Sequence, residues 1–170
     1  MNRCKIVLVL SCLVILTLAA AGAAQAGTHR LGGGLHFQRN LGDIEDYGFD
    51  ANSFSILGSY QYDGGLLKLE GDVDYIFDYA GTDEAMWEPS AWVLLGDMIY
   101  GGGGIGIGYI NSEWQSDPFY ALRAGVDIKL SSFDLDVFGT YRFQSDQDFE
   151  DLTGEDLDSV TFAALLRFAL

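Results

Sequence analysis

Hydrophobic and polar residues alternate along most of this chain with a period of two. Segment 159–170 is the clearest case. Val160, Phe162, Ala164, Leu166, Phe168 and Leu170 share one face, while Ser159, Thr161, Ala163, Leu165, Arg167 and Ala169 share the other. Successive side chains of a strand point to opposite faces, so one face here is wholly apolar and the other is mixed around an arginine. Seven further segments read the same way. They are 30–39 (apolar Leu31, Leu35, Phe37), 52–62 (Phe54, Ile56, Tyr60, Tyr62), 66–77 (Leu67, Leu69, Val73, Tyr75, Phe77) and 91–98 (Trp92, Leu94, Met98). Then come 101–110 (Ile105, Ile107, Tyr109), 119–130 (Tyr120, Leu122, Ala124, Val126, Ile128, Leu130) and 133–144 (Phe133, Leu135, Val137, Tyr141, Phe143). No stretch of helical period follows residue 27.

The connections alternate in length. Asp63-Gly64-Gly65 and Ser131-Ser132 read as tight hairpin turns, and the join near 96–100 is short. The joins near 40–51, 78–90, 111–118 and 145–157 are long. Segments of roughly 9–11 residues, short turns at one end and long loops at the other suit a membrane-spanning barrel. The predicted fold is all-β: an eight-stranded antiparallel up-and-down transmembrane β-barrel.

The opposite face of the strands is polar. It carries Arg30, Lys68, Arg123, Lys129, Arg142 and Arg167, and the acids Glu70, Asp72, Asp74, Asp97, Asp127, Asp134 and Asp136. Lysine or arginine facing lipid at mid-depth would cost ~2–4 kcal/mol each, whereas charges inside a barrel can pair. Eight strands enclose a space that side chains fill. The expectation is therefore an ion-paired plug, with an ion path through it as the alternative. Arg142 and Arg167 are expected inside, on adjacent strands, near acids such as Asp134, Asp136 or Glu70. On the apolar face, aromatic residues gather toward strand ends. Phe37, Tyr75, Phe77, Trp92, Tyr109, Tyr120, Tyr141 and Phe143 would lie near the long loops, and Tyr60, Tyr62, Phe133 and Phe168 near the short turns. Two such girdles are what amphipathic rings favour at the two interfaces of a bilayer.

The first residues fit export. Arg3 and Lys5 precede the apolar stretch 6–18, and Ala24-Gln25-Ala26 matches a cleavage site. Residues 1–26 are expected to be a signal peptide and 27–170 the barrel, which places the protein in a bacterial outer membrane. Cys4 and Cys12 both fall in the removed part, so the mature chain has no thiol chemistry. All twenty-five acids and seven of the nine bases lie beyond residue 26, a formal charge of −18 (7 − 25) over 144 residues (170 − 26). That excludes nucleic acid as a natural partner. Three acidic clusters read as loop: Asp43, Glu45, Asp46 and Asp50; Asp78, Asp83, Glu84 and Glu88; and seven acids from Asp146 to Asp158.

Local motifs add little chemistry. Residues 101–106 match G-x-G-x-x-G, yet a strand alternation continues where a dinucleotide site needs a helix. Inward Gly104, Gly106 and Gly108 instead make room for long side chains from neighbouring strands. His29 and His36 are the histidines of the chain. His36 lies on the inner face and is read as part of the polar network. The sharper alternative is a general base meeting Ser53 or Ser55 and a loop acid. The run from Asp146 to Asp151 lacks the sixth-position glycine of a calcium loop. No metal, cofactor or catalytic residue is assigned.

The eight alternating segments, the long acidic loops and the terminal Arg167-Phe168-Ala169-Leu170 resemble the small OmpA/OmpX-type outer-membrane barrels, over about residues 28–170. That family usually ends its last strand on an aromatic residue; here Leu170 stands last, with Phe168 two positions earlier. The resemblance implies a membrane-embedded, non-enzymatic barrel with surface loops in a structural or interaction role. It implies outer-membrane lipid and the barrel-assembly machinery as partners, with the acidic loops as candidates for an extracellular ligand or divalent cations. Two rival functions are a soluble periplasmic lipocalin-like lipid binder, with its apolar face turned inward, and a barrel hydrolase acting on outer-membrane lipid. The girdles and the tail-less last strand argue against the first.

Overall fold

The computed structural model describes residues 27–42, 50–79, 81, 84–115, 117–143 and 158–170. The signal segment, most of the first and third acidic clusters, and the run from Asp146 to Asp151 lie outside the described residues. Eight long strands form one antiparallel sheet closed on itself. They are β1 (Thr28–Asn40), β2 (Asn52–Asp63), β3 (Leu67–Ile76), β4 (Met86–Gly96), β5 (Ile99–Gly106), β8 (Phe119–Lys129), β9 (Asp134–Phe143) and β10 (Ser159–Ala169). Each pairs with its sequence neighbour, and β1 pairs with β10 through Arg30↔Ala169 to Asn40↔Ser159, which closes the barrel. Closure leaves no unpaired edge among the long strands. Two short strands, β6 (Tyr109–Ile110) and β7 (Glu113–Trp114), form a small hairpin at the long-loop end.

The turn chemistry explains the short end. Asp63 Oδ1 accepts the Gly65 amide at 2.8 Å, and Gly65 has φ = +86°. A side-chain acceptor and a left-handed glycine are what a tight turn requires. In the turn from β4 to β5, Gly96 has φ = +127°, and a Cβ there would come within 2.2 Å of the Ile99 carbonyl. Asn111 and Ser112 both have positive φ, the backbone of a two-residue hairpin with the right twist, and they join β6 to β7.

Period two decides burial. On β10 the residues from Ser159 through Arg167 on the mixed face are buried, while Phe162, Leu166 and Phe168 stand exposed. The same phase holds on β1, β2, β3, β8 and β9. The lumen is not uniformly polar, however. Leu57, Trp92, Leu94, Tyr100, Phe119, Phe138 and Leu165 form an apolar cluster inside it.

Strand β4 corrects the sequence reading. It begins at Met86, five residues before the expected start, and its phase is reversed: Trp92 and Leu94 point inward, while Met98 falls in the turn. Segment 91–95 is apolar on both faces, so no polar residue there breaks the tie between the two phases. Glu88, expected in a loop, lies buried within the strand. Proline is uncommon in a paired strand, yet Pro89 lies within β4. Here its carbonyl accepts from the Ile107 amide at 3.1 Å, and it has no N–H to return. The missing bond coincides with the break between β5 and β6, which were expected as one strand.

Three inward glycines sit where large neighbours need space. A Cβ on Gly104 would fall 2.3 Å from the Trp92 ring, on Gly106 2.3 Å from the Phe119 ring, and on Gly108 2.3 Å from the Gln115 amide.

Candidate functional site

The lumen and the outer belt are the two chemically distinctive surfaces. Both follow from strand phase, because each inward charge alternates with an outward apolar residue.

The lumen charges lie in three tiers. At the short-turn end, Arg30 bonds Asp63 at 2.7 Å, Asp127 at 2.8 Å and Asp134 at 3.3 Å. Lys68, fully buried, reaches Asp127 at 2.7 Å and donates to the Asp97 carbonyl at 2.9 Å. In the middle tier, Arg123 holds Glu70 at 2.7 Å and Asp72 at 2.9 Å. Arg167 holds Glu70 at 2.9 Å and Asp136 at 2.8 Å, and donates to Ser59 at 2.7 Å. Gln61 donates to Glu70, and the Tyr100 hydroxyl donates to Asp136 at 2.7 Å. At the long-loop end, Arg142 pairs with Glu88 and donates to Gln38. There too, His36 Nδ1 lies 2.8 Å from Asp74 Oδ1, and the Ser55 hydroxyl donates to the same oxygen at 2.7 Å.

Aromatic rings brace these cations. The Arg123 guanidinium lies between the Trp92 ring (3.7 Å to its centre) and the Phe138 ring (3.8 Å). Arg142 lies over Phe119 at 3.8 Å. A desolvated cation over a ring face gains roughly 2 kcal/mol, and the stack fixes the planar fork in place.

Several residues fall differently from expectation. Trp92, assigned to the outer girdle, is 5% exposed and belongs to the lumen. Lys129 shares the inner phase but lies beyond the rim, where it pairs in the open with Asp97 at 2.6 Å. That bond and the ammonium charge hold the Asp97 carboxyl below its usual range. Arg142 meets Glu88 rather than Asp134, Asp136 or Glu70. Glu88, Asp63, Gln61, Ser59 and Tyr100 were not assigned to the network by sequence. The sequence places Tyr100 in the join near 96–100; it is the second residue of β5 and continues the inner phase of segment 101–110.

Among the described residues the buried set counts five cations, Arg30, Lys68, Arg123, Arg142 and Arg167, against seven acids, with His36 beside them. Among the described residues no group of three or more histidines or acids is arranged to hold a metal ion. His36 has a carboxylate partner, but it is strand Asp74 rather than a loop acid. Ser55 is bonded to that carboxylate, so no nucleophile is engaged with the imidazole.

The outer face carries an apolar belt around the barrel. Leu35 is 70% exposed, Phe54 65%, Ile99 71% and Phe162 61%, with Leu122, Ile128, Val137 and Leu166 also exposed. Rings pair near the long-loop end: Phe37 with Phe54 (5.0 Å between centres), Tyr75 with Phe77 and Trp87, Tyr109 with Trp114, and Tyr141 with Phe143. Tyr120 is exposed at the same end. At the other end, Phe133 meets Phe168, and His29 lies against Tyr60 and Tyr62. Trp87 and Trp114 were missed in sequence because both lie outside the segments recognised as strands.

No protein-family model and no curated protein matches this chain. Solved structures do. The backbone structure of the Yersinia pestis outer membrane protein Ail in a phospholipid bilayer nanodisc is 15% identical, covering 84% of this chain and 100% of that one, with a TM-score of 0.49. The crystal structure of Neisserial surface protein A (NspA) is 14% identical, covering 84% of this chain and 97% of that one, with a TM-score of 0.62. This chain is therefore a closed eight-stranded antiparallel β-barrel with the fold of NspA.

Proposed function

We propose that this protein is an integral barrel of a bacterial outer membrane, with a charge-plugged lumen and long acidic loops at the cell surface in a structural or interaction role. The apolar belt carries the reading. Soluble monomers rarely leave more than a few hundred Å² of contiguous apolar surface in water, and this belt encircles the molecule. Ring pairs at both rims suit the two interfaces of a bilayer. A lipocalin-like binder would need the opposite polarity, an apolar lumen and a charged exterior. The reading assigns no catalytic chemistry: among the described residues no hydroxyl is hydrogen-bonded to His36 Nε2.

The three tryptophans supply the test. Trp87 stands outside and Trp92 inside the same strand. In liposomes, a variant retaining only Trp87 should be quenched strongly by brominated acyl chains, and one retaining only Trp92 weakly. Equal quenching of the two, or recovery of the protein in a periplasmic extract without detergent, would refute the membrane placement.

A further inference from the structure

The long-loop end of the lumen holds a small, partly open chamber. It is lined by His36, Asp74, Thr140, Arg142 and Thr161, together with Arg123 and Trp92. The free space is about 10 Å³, roughly the room one water needs.

Five buried polar atoms of the lining residues have no protein partner among the described residues: His36 Nε2, Thr140 Oγ1, Thr161 Oγ1 and the Nε atoms of Arg123 and Arg142. The two threonines face each other across the β9–β10 ladder. Asp74, as a carboxylate, can only accept, so the 2.8 Å contact fixes His36 Nδ1 as the donor. In a neutral ring Nε2 is then the acceptor. Leaving such atoms unpaired in a low-dielectric interior is costly, and a buried water typically makes about three hydrogen bonds. The terminal nitrogens of the two arginines are committed, Arg142 to Glu88 and Arg123 to Glu70 and Asp72, which leaves their Nε–H groups as further donors at the edge of the site.

We propose that this chamber is a specific site for one ordered water, which donates to His36 Nε2 and is completed by the hydroxyls of Thr140 and Thr161. One hydroxyl donates to the water and the other accepts from it, so His36 Nε2 and both threonine hydroxyls are satisfied. The water links β1 to β9 and β10 and locks the imidazole in its Nδ1–H tautomer.

Nitrogen-15 NMR of the intact barrel in detergent micelles tests this. The expected spectrum has Nδ1 of His36 protonated, Nε2 bare, and a cross-peak from the imidazole protons to a long-lived water. Thr140→Val with Thr161→Val should abolish that cross-peak. An Nε2-protonated ring, absence of the water cross-peak in the wild type, or its persistence in the double variant would each overturn the assignment. The wild-type readings require no variant to fold, and an interior water is independent of whether the belt contacts lipid.

Discussion

Removing Arg167 is the most informative perturbation of the plug. The side chain is fully buried and bonds three partners: Glu70, Asp136 and Ser59. In Arg167→Ala, Glu70 keeps Arg123 and Gln61, and Asp136 keeps the Tyr100 hydroxyl. The middle tier then holds three acids, Glu70, Asp72 and Asp136, against a single guanidinium. Breaking a buried pair from one side costs about 3–5 kcal/mol, because a charge is left uncompensated. Arg39→Ala is the control. Arg39 is exposed at the loop edge with a 3.2 Å hydrogen bond to Asn52, and such a contact is worth about 0–1 kcal/mol. The two variants should differ by roughly 10²- to 10³-fold in unfolding equilibrium constant, at ~1.4 kcal/mol per tenfold. Urea unfolding in detergent reports this directly. Trp92, against Arg123, provides the fluorescence signal, and gel mobility with and without heating provides a second probe. A destabilisation by Arg167→Ala within about 1 kcal/mol of Arg39→Ala would refute the argument that the plug is desolvated and mutually dependent.

Three further perturbations address the rim, the belt and the glycine column. Lys129→Met should move the Asp97 carboxyl up toward its ordinary range, read by carboxyl carbon NMR titration; its lowered folded value means that whatever Asp97 contributes is present at neutral pH and lost as pH falls through that value. Leu122→Arg, in the middle of the belt on β8, should cost ~2–4 kcal/mol in lipid, whereas Ser131→Arg at the short turn should cost little; equal folding yields in liposomes would contradict the belt's placement in lipid. Gly104→Val should destabilise by about 1–3 kcal/mol or more in the urea assay, because its Cβ meets both the Trp92 ring and the Ala91 carbonyl, while Gly71→Val, with nothing within 4 Å, should be neutral or better.

Most of the barrel was legible because charge breaks the symmetry of a period-two pattern. A strand of eleven residues offers two phases, and a one-residue slip exchanges every side chain between lumen and exterior. On β3, Lys68, Glu70, Asp72 and Asp74 fall in one phase, so the choice is forced. On β10 a single arginine among small and hydroxylated residues suffices. Ion-pair partners were less legible, since they join residues up to about a hundred positions apart. Arg30 meets Asp127 across the lumen, and Arg142 meets Glu88 rather than an acid of its own hairpin. Strand phase places a charge inside, but the stagger of the closed sheet sets its depth, and with it the partner.

Strand β4 marks where the charge argument fails, and its neighbour supplies the missing constraint. Ala91, Val93 and Leu95 compete with Trp92 and Leu94 for the same interior, and hydrophobicity cannot choose between them. The glycines of β5 and of the break that follows it can. Gly102, Gly104, Gly106 and Gly108 occupy the phase of buried Tyr100, a lumen column with no side chains of its own. A close-packed interior does not tolerate such a gap, so the strand paired with that column must turn its large residues inward. The ladder sets Gly104 opposite Trp92 and Gly102 opposite Leu94. The indole fills the space beside Gly104, and Arg123 stacks on that indole. The glycine run that mimics a nucleotide-binding motif is thus the reason an aromatic residue can enter the lumen and line the outer chamber.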